Sequence, residues 1–253
     1  MFTGWRRERL RTLPFPAEWE GIVARNVTAF RRLSLTDQRE LLGHTQVLLS
    51  EKHFEGCGGL ELTDEIRVTV AAYAALLLLH RDTDYYPRLT SILVYPAAYV
   101  ATGERHVGDG LWEDGERVRL GETGERLSVV VVAWEDVPRA GHMIDDGGNV
   151  VLHEFAHQLD FEDRVVDGTP LLEQRQWESW PRVMSAEYEA FVRALDNGEP
   201  TFIGVYAAKN RAEFFAVLTE QFFGRGKELR DRHPALYEEL RSFYCQDPAA
   251  WPE

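Results

Sequence analysis

Cysteine is scarce: Cys57 and Cys245 are the two in 253 residues. Such a pair builds no disulfide framework and gives no cysteine cluster for a structural metal. A basic surplus is also lacking, since 28 Lys and Arg face 42 Asp and Glu, for a formal charge of −14. A phosphate-tracking surface needs clustered cations, so no direct nucleic-acid binding is expected. The local exception, "WRRERLR" at 5–11, reads as a solvated helix face near the N-terminus. No apolar run reaches the roughly 18 residues of a membrane span. "VTVAAYAALLLLH" at 68–80 comes nearest and reads as a core helix. Behind the basic stretch, "TLPFPAEWEG" is polar and broken by proline, so no secretory h-region is expected and the cytoplasm is the expected location. Internal repeats and low-complexity linkers are missing too.

What is present reads as α+β. "PAEWEGIVARNVTAFRRL" (16–33) and "LTDQRELLGHTQVLLSEK" (35–52) carry apolar residues at helical spacing, with Thr36 and Asp37 expected to cap the second. "EGCGG" (55–59) breaks the chain, and Thr63, Asp64 and Glu65 open a helix expected to end near His80. "SILVYPAAYV" (91–100) and "RLSVVVVAWEDV" (126–137) are β-branched and aromatic, hence strands. The turn "IDDGGN" (144–149) offers Gly148 or Asn149 as the cap of a further helix. The tail returns to helix in "WPRVMSAEYEAFVRAL" (180–195), "NRAEFFAVLTEQFF" (210–223) and "HPALYEELRSFY" (233–244). The expectation is one domain over 1–253, mainly helical to residue 80, with a catalytic part over 81–253 built on a small mixed sheet.

The chemistry concentrates in "NVVLHEFAHQLDFED" (149–163). His153 and His157, four apart, share one helix face and can aim both imidazoles at one point. Two neutral imidazoles suit Zn²⁺, which in catalytic sites takes three protein ligands and keeps a position open for water. Glu154 would then serve as general base rather than ligand, the division of labour in the H-E-x-x-H motif. An apolar helix whose two histidines are satisfied by ordinary hydrogen bonds is the alternative.

A third ligand must come from elsewhere. Residues after His157 read "QLDFED", with no third histidine; Asp160 and Asp163 fall at or past the helix end, where they cap or orient it. Within "NRAEFFAVLTEQFFG" (210–224), Glu213 and Glu220 stand seven apart among phenylalanines, two turns apart on nearly one face. Burying a carboxylate there is costly unless it is paired or metal-bound. The two glutamates therefore suggest one ligand and one partner that orients a ligand histidine.

"HEFAHQLD" (153–160) followed by "VYAAKNRAEFFAVLTEQFF" (205–223) resembles the Mlc titration factor A family of bacterial zinc metallopeptidases. "LPFPAEWEGIVARNV", "FEGCGGLELTDEIRV" and "SILVYPAAYV" share the likeness, so it covers nearly the whole chain. The "HExxH" with a later "EFFA" is also distantly similar to the catalytic domain of anthrax lethal factor. The resemblance implies a zincin-like domain with a helical annex, Zn²⁺ on His153, His157 and Glu213, and Glu154 as base. It further implies that Tyr206, seven residues before Glu213, steadies an oxyanion. In such an architecture an edge strand pairs with the extended substrate; "LSVVVVAW" (127–134) is the candidate, with a buried central strand as its alternative. His142 reads as a loop histidine outside the motif, and Cys57 in "GCGG" as part of a tight turn after a helix.

Three functions stay open. The resemblance implies an aminopeptidase-like zinc peptidase; Glu220 or the acidic run Asp160, Glu162 and Asp163 are candidates to receive a free amine. It also implies an interaction protein that sequesters a sugar-responsive transcriptional repressor, with a regulatory metal site. An amidase on a non-peptide substrate would use the same zinc and base. Glu154 favours the peptidase, because a structural zinc site needs no base and would be closed by a fourth ligand.

Overall fold

In a computed structural model, residues 2–97, 128–139 and 148–252 are described. Helix α1 (Phe2–Thr12) lies along α3 (Leu35–Glu51), and α2 (Ala17–Asn26) packs on α4 (Asp64–Leu76). The basic stretch is more than a wet face. Arg7 pairs with both Glu51 and Asp84, tying α1 to α3 and to the loop after α4. α4 is apolar on nearly every side and buried, and the apolar wall continues through Leu77, Leu78 and Leu79.

Several helix boundaries differ from the sequence expectation. The 16–33 segment is not continuous: Val27 is extended, and a short 3-10 turn, Thr28–Arg32, follows it. The break lets Val27 and Phe30 both reach the core. Ser34, not Thr36 or Asp37, caps α3, because its hydroxyl accepts the N–H of Asp37. Thr63 caps α4 as expected, and the chain leaves helix at Leu77, with His80 left-handed at φ 62°. Among the tail helices, α6 (Ser179–Asp196), α7 (Arg211–Gly224) and α9 (Pro234–Tyr244) match the expectation. α8 (Gly226–Arg232) was not expected.

The sheet corrects the reading in two ways. A short strand, β1 (His53–Gly56), directly follows α3, so the "GCGG" turn comes after a strand and not after a helix. In that turn Gly58 and Gly59 take φ of 59° and 82°. Among the described residues the sheet is parallel rather than mixed: β1 pairs with β2 (Ser91–Tyr95), and β2 with β3 (Val129–Ala133). α4 carries the chain from β1 to β2, and a helical crossover returns the second strand in the direction of the first. β2 and β3 alternate, burying Ile92 and Val94, and Val130 and Val132. Among the described residues β3 ends the strand order, and it packs beside α5 (Val150–Asp160). The described residues are thus mixed and mostly helical, with a small three-stranded sheet. His142 and part of "SILVYPAAYV", "RLSVVVVAWEDV" and "IDDGGN" lie outside the described residues. No described helix is long and apolar enough to cross a membrane.

Candidate metal centre

α5 begins where Asn149 turns its side-chain oxygen onto the N–H groups of Val151 and Leu152. Val151, Leu152, Phe155, Ala156 and Leu159 sink into the core, and Phe155 meets Tyr86 edge to face at 4.8 Å between centroids. This packing fixes the rotation of α5 about its axis, and with it the direction of His153 and His157. α7 is fixed in the same way. Asn210 caps it by accepting the N–H of Glu213, and Phe214, Phe215, Ala216, Leu218 and Phe222 are buried. α5 and α7 pack against each other, so residues sixty apart in sequence come together.

Three donor atoms converge there. Nε2 of His153 lies 3.0 Å from Oε2 of Glu213, Nε2 of His157 lies 3.3 Å from the same oxygen, and the two Nε2 atoms are 3.3 Å apart. Tetrahedral ligands at about 2.0–2.1 Å from zinc stand roughly 3.4 Å from one another, so the triangle fits that ion closely. Tautomer chemistry agrees. Oε1 of Glu220 sits 2.7 Å from Nδ1 of His153, so a metal at the centre would find the proton on Nδ1 and the Nε2 lone pair turned toward it. The other Glu220 oxygen accepts the N–H of Asn149 at 2.6 Å, locking the carboxylate to the start of α5.

The electrostatics follow from this packing. Burial pulls His153 down, but hydrogen bonds to Glu213 and Glu220 outweigh it and hold the imidazole well above the ordinary histidine range. Burial would raise Glu213, yet hydrogen bonds from His153 and His157 keep it well below the usual carboxylate range.

Tyr206 and Lys209 complete the wall. They lie on a 3-10 helix, Val205–Lys209, which packs on α7. The Tyr206 hydroxyl donates to Oε1 of Glu213 at 3.0 Å, and Nζ of Lys209 is 3.7 Å from the same atom. Glu213 thus presents one oxygen to the histidines and the other to a phenol and an ammonium.

His153, His157, Glu213, Glu220 and Tyr206 meet at this point. Glu154 sits half-buried beside His153, and its charge acts on that imidazole. Asp160 is fully buried but touches neither histidine; its Oδ2 accepts the N–H of Gly168 at 2.9 Å. Burial lifts its carboxyl to about 6, against the pull of that N–H. Gly168, at φ 81°, lies so close to the Arg211 carbonyl that a Cβ would collide with it, and its own carbonyl accepts the Trp180 indole N–H. One glycine therefore joins α5, α6 and the first turn of α7. Sequence reasoning missed Gly168 and Lys209. The signal for Lys209 was its spacing of three from Tyr206, which places the two side chains above one another in a 3-10 turn.

The model of the glucose-regulated metallo-peptidase M90 family matches residues 2–245. The uncharacterized protein slr2042 of Synechocystis sp. is 38% identical over 96% of this chain and 89% of its own length. Mlc titration factor A of Serratia proteamaculans is 30% identical over 92% of this chain and 88% of its own length. The protein of the same name from Yersinia pestis is 29% identical over 92% and 86%.

Proposed function

The chain belongs to the glucose-regulated M90 metallopeptidases, and from that membership we propose that it is a zinc-dependent, aminopeptidase-like hydrolase of peptide bonds. The observation that carries the proposal is the triangle of His153, His157 and Glu213 donors, with Glu220 setting the His153 tautomer. Zinc on these three side chains would supply Lewis acidity toward the scissile carbonyl and lower the pKa of water beside it. Glu154 accepts the proton of the attacking water and passes it to the departing nitrogen. The Tyr206 hydroxyl leaves Oε1 of Glu213 and donates to the carbonyl oxygen as negative charge gathers on it. Glu220 keeps the Nδ1 proton of His153 in place throughout, while Asp160 anchors the loop behind His157 at Gly168. The substrate is a peptide or protein in the cytoplasm.

Relatives named Mlc titration factor A favour a second reading: the chain binds a transcriptional repressor, and its metal site is modulatory. One experiment separates the two. Zinc content and peptide-anilide hydrolysis are measured for the parent, Glu154→Gln and Glu213→Ala. For the peptidase, Glu154→Gln keeps stoichiometric zinc and loses hydrolysis by about a hundredfold or more, whereas Glu213→Ala loses both. A zinc-loaded parent whose hydrolysis is unchanged by Glu154→Gln would rule the peptidase mechanism out.

A further inference from the structure

Resting on the peptidase reading, we propose that Lys209 is a specificity-determining residue that reads a carboxylate on the substrate beside the scissile bond. Its ammonium lies 5.4 Å from the centroid of the Tyr206 ring and 3.7 Å from Oε1 of Glu213. The Lys209 side chain is 53% exposed while that of Glu213 is 12% exposed, so the cation stands at the mouth with the donor triangle beneath it. Val205, at the start of the same turn, is 73% exposed and confirms that this turn borders open space. The neighbouring cation, Arg211, is committed elsewhere: it donates to Ser185 and stacks on Tyr188.

A lysine in this place does nothing for a metal beneath it, because like charges repel. Once a dication offsets the charge of Glu213, the attraction between Lys209 and that carboxylate weakens. Among the described residues, Arg211 is already committed and the half-exposed Lys209 ammonium is then open to an arriving substrate. Its complement is a carboxylate one side chain away from the carbonyl that Tyr206 receives. Two sources share that chemistry, an acidic side chain and the terminal carboxylate of a short peptide. The overall charge of −14 does not attract such substrates, so the preference must be local. Its size is that of one partly exposed ion pair, a ratio of about two to five that shrinks with salt.

The test uses zinc-loaded protein and matched fluorogenic peptides that differ only in Glu against Gln on either side of the cleaved bond, and in a free against an amidated C-terminus. Hydrolysis gives kcat/KM, and binding is read separately as fluorescence anisotropy on the inactive Glu154→Gln protein. The expected result is an about two- to fivefold preference for one carboxylate-bearing peptide in both readouts. Lys209→Gln abolishes it and Lys209→Glu reverses it toward the uncharged counterpart of that peptide, with zinc content unchanged. Which peptide gains identifies the source of the carboxylate. If the parent treats all peptides alike, or if Lys209→Gln keeps the preference, the inference is overturned while the peptidase reading stands. If zinc-loaded parent cleaves no peptide and Glu154→Gln binds none, both fall together.

Discussion

Removing the hydrogen bond behind a proposed metal ligand, while leaving the ligand itself intact, is a sharp probe of this site. Glu220 is the residue to change. One of its oxygens holds Nδ1 of His153 at 2.7 Å and the other holds the backbone N–H of Asn149 at 2.6 Å. Glu220→Ala removes both. Loss of an orienting carboxylate typically weakens metal binding by about 10- to 100-fold, or roughly 1.4–2.7 kcal/mol. The Asn149 N–H, at the buried start of α5, adds a folding cost of about 1–3 kcal/mol that is present without any metal. Glu220→Gln keeps one good acceptor and offers an amide in place of the second oxygen, so its zinc affinity falls less than that of Glu220→Ala.

Two assays separate these terms. Competition against a chelating dye gives the zinc Kd, and urea unfolding of the metal-free protein gives the folding cost. The expected order of zinc affinity is parent, Glu220→Gln, Glu220→Ala, and the folding cost falls mainly on Glu220→Ala. If Glu220→Ala binds zinc within threefold of the parent, Glu220 does not orient His153 toward a metal, and the convergence of donor atoms loses its main support.

Three further outcomes are expected. Tyr206→Phe keeps its zinc and lowers kcat by about 100- to 1,000-fold; an unchanged kcat would make Tyr206 a support for Glu213 alone. Gly168→Ala puts a Cβ into the Arg211 carbonyl at a positive φ, so it destabilises by about 2–4 kcal/mol in urea titration, and a neutral effect would contradict the packing of that loop on α7. The Glu40 carboxyl is held at about 2, below its ordinary 4.5, by a hydrogen bond from His44, against burial, with help from the His80 N–H. A carboxyl lowered in the folded state stabilises above about 4.5 and loses that contribution as pH falls toward 2. The urea midpoint of Glu40→Gln should therefore lie below the parent at pH 7 and converge with it as the solution is acidified; a constant gap would refute the assignment.

The sequence by itself determined where the candidate donors stand. A motif read along one helix needs only the helical repeat, so His153, Glu154 and His157 could be placed before any fold was known. Glu213 and Glu220 were legible for a related reason: carboxylates among phenylalanines signal that something pays their burial. The long amphipathic helices and the Asn149 and Thr63 caps were legible as well, because local spacing and side-chain hydrogen bonds decide them. Tertiary structure decided what sequence distance hides. β1 has four residues, two of them exposed and none fully buried, and exists only because β2 lies alongside it. The parallel order follows from a crossover through α4 that no residue announces. Which glutamate faces the histidines and which stands behind them depends on the rotation of α7, set by Phe215 and Phe222 packing into the core. Asp160 belongs to Gly168 and not to a histidine for the same reason: a buried carboxylate takes the donor that the fold brings to it. Lys209 reaches the mouth of the site through a single 3-10 turn, and its position relative to Glu213 is a property of packing rather than of sequence.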